Sequence, residues 1–284
     1  MRSRVLIAAS ASLLVAPLHG AAQVASTRVD IVPPHLSTMR VAATTGALPL
    51  PGPAGTPSSW MIPLPYVDPE LSLRILDSIR ADRPEDVSLH LAAAREASAL
   101  GVLEPTSEAR VAALRRAEAA ARSVLAVDSL SVEGHYWLAV TLGLQADEEG
   151  GRTKIGLARE SYAEAGRALA LDPLHGGANH VMGRLHAGAK RLNLVSRMLA
   201  RGLGLGGVLD QASWESAEHH LRAAAEADDG RLVHHLELAR FLLSRGRTDE
   251  GRAILRDIAG RSPRHRLDAV YIERAAGVLA GSTP

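Results

Sequence analysis

Twelve histidines give this 284-residue chain its widest chemical reach, and their spacing decides what they can do. Four of them form the doublets His219-His220 and His234-His235. Adjacent residues on a helix point about 100° apart, so a doublet cannot offer both rings to one ion as an i, i+4 pair does. His180 and His186 are six apart, on poorly matching helix faces and without a carboxylate nearby on the same helix, and no His-Glu-x-x-His run occurs. Structural or solvent-facing imidazoles are expected, and no metal site. The run Gly202-Leu203-Gly204-Leu205-Gly206-Gly207 has the glycines of a phosphate loop but no preceding strand and no following Gly-Lys-Ser/Thr. Serines occur without a nucleophile elbow, and Asp147, Glu148 and Glu149 read as a solvated loop. Without a cysteine the chain has no disulfide, thiolate metal site or thiol nucleophile. No catalytic residue and no cofactor is expected, and the protein is read as a non-enzyme.

The elements that would position these residues are helical. Hydrophobic residues make up 46% of the chain, enough for a large core, yet they are mostly Ala and Leu with 3% aromatics and the single phenylalanine Phe241. That mixture suits closely packed helices rather than sheets. The charge is nearly balanced, 32 basic against 31 acidic residues, with no long run of one sign, so no nucleic-acid footprint is present.

From Asp68 onward the apolar spacing repeats. Ala239, Gly251, Leu255, Ile258 and Pro263 follow at intervals of twelve, four, three and five. The series four, three, five returns at Ser72, Leu76, Ile79, Pro84; at Ala117, Ala121, Val124, Ser129; at Ser161, Ala165, Ala168, Pro173; and at Ala217, Leu221, Ala224, Asp229. Ten residues after the first four closing positions comes another small residue: Ala94, Ala139, Gly183 and Ala239. Small residues belong where antiparallel helices touch, and proline ends a helix it cannot continue. His90-Leu91, His135-Tyr136, His180 and His235-Leu236 precede the small residue in successive units.

This pattern resembles the tetratricopeptide repeat, whose helix pair spans about 34 residues. The small residues stand 45, 44 and 56 apart (94 to 139, 139 to 183, 183 to 239), which implies insertions of roughly 11, 10 and 22 residues. They are placed between the two helices of a unit, at Leu100 to Arg110, Gln145 to Gly156 and Lys190 to Ser213. The expected architecture is all-α: a half-repeat at Asp68 to Asp82, four helix pairs from Pro84 to Pro263, and a capping helix from about Arg264 to Ala280. Leu169-Ala170-Leu171-Asp172-Pro173, then Gly176 through His186, the insertion with Leu199-Ala200 and Ala212-Ser213-Trp214-Glu215, and His234-His235-Leu236-Glu237-Leu238 are similar to the regulator of microtubule dynamics family. The likeness covers roughly Pro84 to His265. It implies the repeat fold and a binding scaffold, and it specifies no partner.

Two regions carry a functional expectation. First helices of stacked repeats line the concave side of such a solenoid, and a stripe of Tyr136, Val140, His180, Arg184, Leu236 and Arg240 would face it, open to a peptide or protein or spent on packing and solvation. In the third insertion, Leu192, Leu194, Val195, Met198, Leu199 and Leu203 are interspersed with Lys190, Arg191, Arg197 and Arg201. That is a short basic amphipathic helix, residues 190–203, whose apolar face either packs on the solenoid or makes the chain a peripheral membrane protein.

Residues 1–23 read as a secretion signal: Arg2 and Arg4, an apolar run from Val5 to Val15, and small residues at Ala21 and Ala22 with cleavage near Gln23. Export to a bacterial periplasm or beyond follows as the expectation, with no membrane span left after cleavage. Residues 24–67 are low in charge and rich in proline, from Pro33 to Pro65, which suits an extended tether ahead of a repeat domain at 68–284.

Overall fold

The computed structural model describes residues 68–281. The signal segment 1–23 and the proline-rich segment 24–67 lie outside the described residues. Helices follow one another as α1 (Pro69–Asp82), α2 (Val87–Leu103), α3 (Ser107–Val127), α4 (Val132–Glu148), α5 (Gly151–Leu171), α6 (Gly176–Arg191), α7 (Leu194–Ala200), a π turn (Arg201–Leu205), α8 (Gly206–Gln211), α9 (Trp214–Ala227), α10 (Leu232–Ser244), α11 (Thr248–Gly260) and α12 (Arg266–Leu279). No strand occurs among the described residues.

Short polar residues start most of these helices by accepting hydrogen bonds from otherwise unpaired first-turn amides. Asp86 accepts from Ser88 and Leu89, Thr106 from Ala109, Ser131 from Gly134, and Ser213 from Ser216. Between units the chain turns on an aspartate. The Asp128, Asp172 and Asp228 carboxylates each accept the amide two residues on, at 3.0 Å in all three. These are Asx turns, and their recurrence 44 and 56 residues apart matches the repeat spacing.

The pairs are α2/α3, α4/α5, α6/α9 and α10/α11, with α1 a half unit and α12 a cap. This is an all-α solenoid of tetratricopeptide type. The small-residue register is where the sequence put it: Ala94, Ala139, Ala117, Ala121, Ala165, Ala168, Ala217 and Ala239 are fully buried, as are Leu221, Leu255 and Ile258. Gly183 is tighter still. A Cβ there would lie 2.7 Å from Leu221 Cγ and 3.1 Å from the Ala217 carbonyl oxygen, so only glycine lets α6 and α9 come this close. Burying a side chain the size of Leu221 contributes about 1.5–3 kcal/mol.

Three expectations need correction. The residues expected as insertions at Leu100 to Arg110 and Gln145 to Gly156 are mostly helix, because α2 continues to Leu103 and α3 begins at Ser107, while α4 continues to Glu148 and α5 begins at Gly151. Glu148 is accordingly no loop residue. It takes two hydrogen bonds from Arg110, at 2.7 and 2.8 Å, and one from Ser107 at 2.6 Å, joining the end of α4 to the start of α3. In the half-repeat the buried residues are Pro69 and Leu73, whereas Ile79 is exposed, because no further helix pair covers the outer side of an end helix.

Candidate functional site

The repeat places a hydrogen-bonding side chain four residues before each small residue. His90 Nε2 lies 2.7 Å from the Pro84 carbonyl, His135 Nε2 3.1 Å from that of Ser129, and the Asn179 amide donates to that of Pro173 at 3.1 Å. Each clasps a turn carbonyl six residues back, on the residue that closes the preceding unit. His235 faces the Asp229 carboxylate at 3.4 Å from the same position. Asn179, and not His180, is therefore the third member of this series. The clasps make these side chains structural: His135 also lies 2.6 Å from the buried Glu164, and Asn179 reaches His220 Nδ1 at 2.7 Å.

First helices stack directly on one another, α2 on α4, α4 on α6, α6 on α10 and α10 on α12, and α12 also returns to touch α2. The expected stripe splits into two sets by burial. Tyr136, His180 and Leu236, three residues before the small position, are 5%, 8% and 4% exposed and form a floor. Val140, Arg184 and Arg240, one residue after it, are less buried: Val140 is half-buried, and the two arginine side chains are 38% and 42% exposed. Arg184 pairs with Asp147 of α4 at 2.9 Å, and Arg240 approaches Glu237 at 3.8 Å.

The floor gathers residues from distant repeats. Arg231, at the start of α10, donates to the Tyr136 hydroxyl at 3.0 Å from 95 residues away and lies 5.9 Å from the Tyr136 and Trp137 ring centres. The His180 and His234 rings stand 4.8 Å apart. Burial, with Arg184 and Arg231 nearby, pushes the His180 imidazole down to about 3. Burial also holds His234 well below its ordinary value, and neither of its ring nitrogens finds a partner. Both rings are neutral at physiological pH. Tyr271 of α12 is 9% exposed, and burial raises its hydroxyl beside the same arginines. Arg231, His234 and Tyr271 were not in the stripe read from sequence. Arg231 lies outside the helix-period pattern, and its contacts come from chain folded far away.

Among the described residues no group of histidines and carboxylates is arranged to hold a metal ion, and no helix is long and apolar enough to cross a membrane. His219 and His220 sit edge to face, and His220 stacks on His186 at 5.6 Å with its ring pushed down to about 4, by burial first and then by the neighbouring imidazoles. The glycine run lies in the middle of the insertion and not at its end: it passes from a π turn, in which Gly204 adopts φ +87°, into the start of α8, and Arg159 donates to the Leu203 carbonyl at 3.3 Å.

The insertion itself has two sides. Ala200, Leu205 and Leu209 pack with Ala189, Ala212, Ile155, Leu192 and Val208 into a small core of their own, pinned by a 2.9 Å hydrogen bond from Tyr162 to Gln211. On the other side Leu194, Val195, Met198 and Leu199 are 72%, 76%, 67% and 40% exposed.

Comparison with known families matches residues 67–281 to the family described as Regulator of microtubule dynamics protein 1-3, and the chain belongs to that family. No curated protein matches its sequence. Among solved structures, a thermophilic tetratricopeptide protein of Thermus thermophilus, TTC0263, aligns at 17% identity over 75% of this chain and 99% of that one, with a TM-score of 0.45. The human IFIT1 dimer with PPP-AAAA aligns at 15% identity over 74% of this chain and 55% of that one, with a TM-score of 0.39.

Proposed function

We propose that this member of the family is a non-enzymatic scaffold that holds an extended peptide or a protein segment along the inner side of its repeats. One observation supports the reading: Arg184 and Arg240, at equivalent positions of α6 and α10, are partly exposed, whereas Tyr136, His180 and Leu236, at equivalent positions of their helices, are buried. A rigid floor lowers the entropy lost on binding, and guanidinium groups beside it supply charge-assisted hydrogen bonds to an extended backbone or to carboxylates. Val140, at the equivalent position of α4, supplies an apolar contact beside them. The exposed pairs with Asp147 and Glu237 contribute little to the fold and can be exchanged for ligand contacts.

The test uses a photo-crosslinking residue in place of Val140 in the native host, with and without Arg184→Ala and Arg240→Ala. The thermal midpoint should stay nearly unchanged. Yield of the crosslinked partner should fall by a factor of ten or more, equivalent to about 1.4 kcal/mol of lost contact. An undiminished yield from the double variant would take the binding site off this surface.

A further inference from the structure

Leu194, Val195, Met198 and Leu199 form one continuous exposed face of α7, because positions i, i+1, i+4 and i+5 fall on one side of a helix. The opposite side of the same helix is anchored: Ala200 is buried in the insertion's core, and Asn193 caps the helix by accepting from Ser196. The face is thus held outward by a folded support.

Charge distinguishes it from the other exposed apolar groups. Leu71, Ile75 and Ile79 of α1 share their helix with Glu70, Asp77 and Asp82, and Leu130 and Leu174 sit in turns beside Asp128 and Asp172. From Pro173 to Leu209 the chain has no acidic residue, while it carries Arg184, Lys190, Arg191, Arg197 and Arg201. Arg201 is neutralised by its pair with Asp210, and Arg191 donates to Ser244 of α10, which leaves Arg197 on α7 itself and Lys190 near the end of α6, just ahead of it in the chain.

We propose that this face docks on an anionic phospholipid bilayer surface. Four adjacent aliphatic and thioether side chains suit the acyl boundary, and lysine and arginine beside them reach headgroup phosphates while their stems stay apolar. A specific protein partner is matched less well, since the face has no tyrosine or tryptophan to anchor one. Docking leaves the inner side of the repeats free, so the scaffold would present its ligand at a membrane.

Flotation of the full chain with vesicles tests this, using phosphatidylcholine alone and an equal mixture of phosphatidylcholine and phosphatidylglycerol. The protein should bind the mixed vesicles at least tenfold more tightly and release with added salt. Val195→Asp with Met198→Asp should lower that binding tenfold or more at unchanged helical circular dichroism, and Leu194→Ser should lower it less. Lys190→Gln with Arg197→Gln should remove the preference for the anionic mixture. Arg184→Ala with Arg240→Ala should bind vesicles like wild type, which separates this surface from the inner one. Equal binding to both vesicle types, or full binding by Val195→Asp with Met198→Asp, overturns the proposal. So does a concentration-dependent dimer that the same substitutions abolish, because a second copy would then cover the face.

Discussion

Between α4 and α5 only Glu149 and Gly150 intervene, joining helices of 17 and 21 residues, whereas residues 192–213 separate α6 from α9 and fold as α7, the π turn and α8. Both stretches exceed a minimal repeat. In the first, the added length extends helices already in the stack, and the new end of α4 finds partners on α3: Gln145 donates to Glu118 at 2.8 Å, and Glu148 accepts from Arg110 at 2.7 and 2.8 Å. In the second the added chain leaves the pair and has to make its own core. Seven-residue and six-residue helices cannot cover both of their sides, and Leu194, Val195, Met198 and Leu199 stay outside. Extra sequence inside a helix pair becomes stability, and extra sequence outside it becomes accessible surface.

The largest effect that distinguishes the two regions is acidification. His180 and His234 are neutral in the fold and bind protons in the unfolded chain first, so the stability they contribute is complete above their unfolded value near 6.5 and is lost as the pH falls below it. At pH 5 the loss is about 2 kcal/mol for His180, and His234 adds to it in the same direction. Urea unfolding at pH 7.5 and pH 5 measures it, and His234→Leu should flatten the difference. The insertion from Leu192 to Ser213 contains no histidine. An acid transition that begins there, seen by hydrogen exchange, would reverse the comparison.

Packing gives the next contrast. Gly183→Leu forces a side chain into Leu221 and the Ala217 carbonyl and should cost about 1–3 kcal/mol, or more if the helices cannot part. Gly202→Ala in the insertion meets no atom within 4 Å and should leave the chemical-denaturation midpoint unchanged or slightly raised. Equal costs at the two glycines would mean that the insertion is packed as tightly as the repeats.

The turn clasp gives the smallest effect. His135→Ala releases the Ser129 carbonyl and deprives the buried Glu164 carboxylate of one partner, leaving Arg167 as the other. The expected cost is about 1–2 kcal/mol, with His135→Asn recovering part of it, as Asn179 does in the next unit. Replacing exposed His219 should cost nothing measurable.

Local chemistry by itself determined the helices, the four pairs with their half unit and cap, and the small-residue contacts at Ala94, Ala139, Gly183 and Ala239. Those follow from side-chain size, caps and breakers acting within a dozen residues, which spacing records directly. The apolar and basic composition of the third insertion was legible too, but not its bounds: the helix expected over 190–203 is divided, with Lys190 and Arg191 closing α6 and α7 running only from Leu194 to Ala200. Tertiary structure alone decided that Tyr136, His180 and Leu236 form a buried floor, that Arg231 crosses from α10 to Tyr136, and that Asn179 takes the place expected of His180. It also decided that the apolar side of α7 faces outward. Periodicity marks which side of a helix is apolar, but whether another surface covers that side depends on where chain tens of residues away comes to lie, and no local spacing encodes that distance.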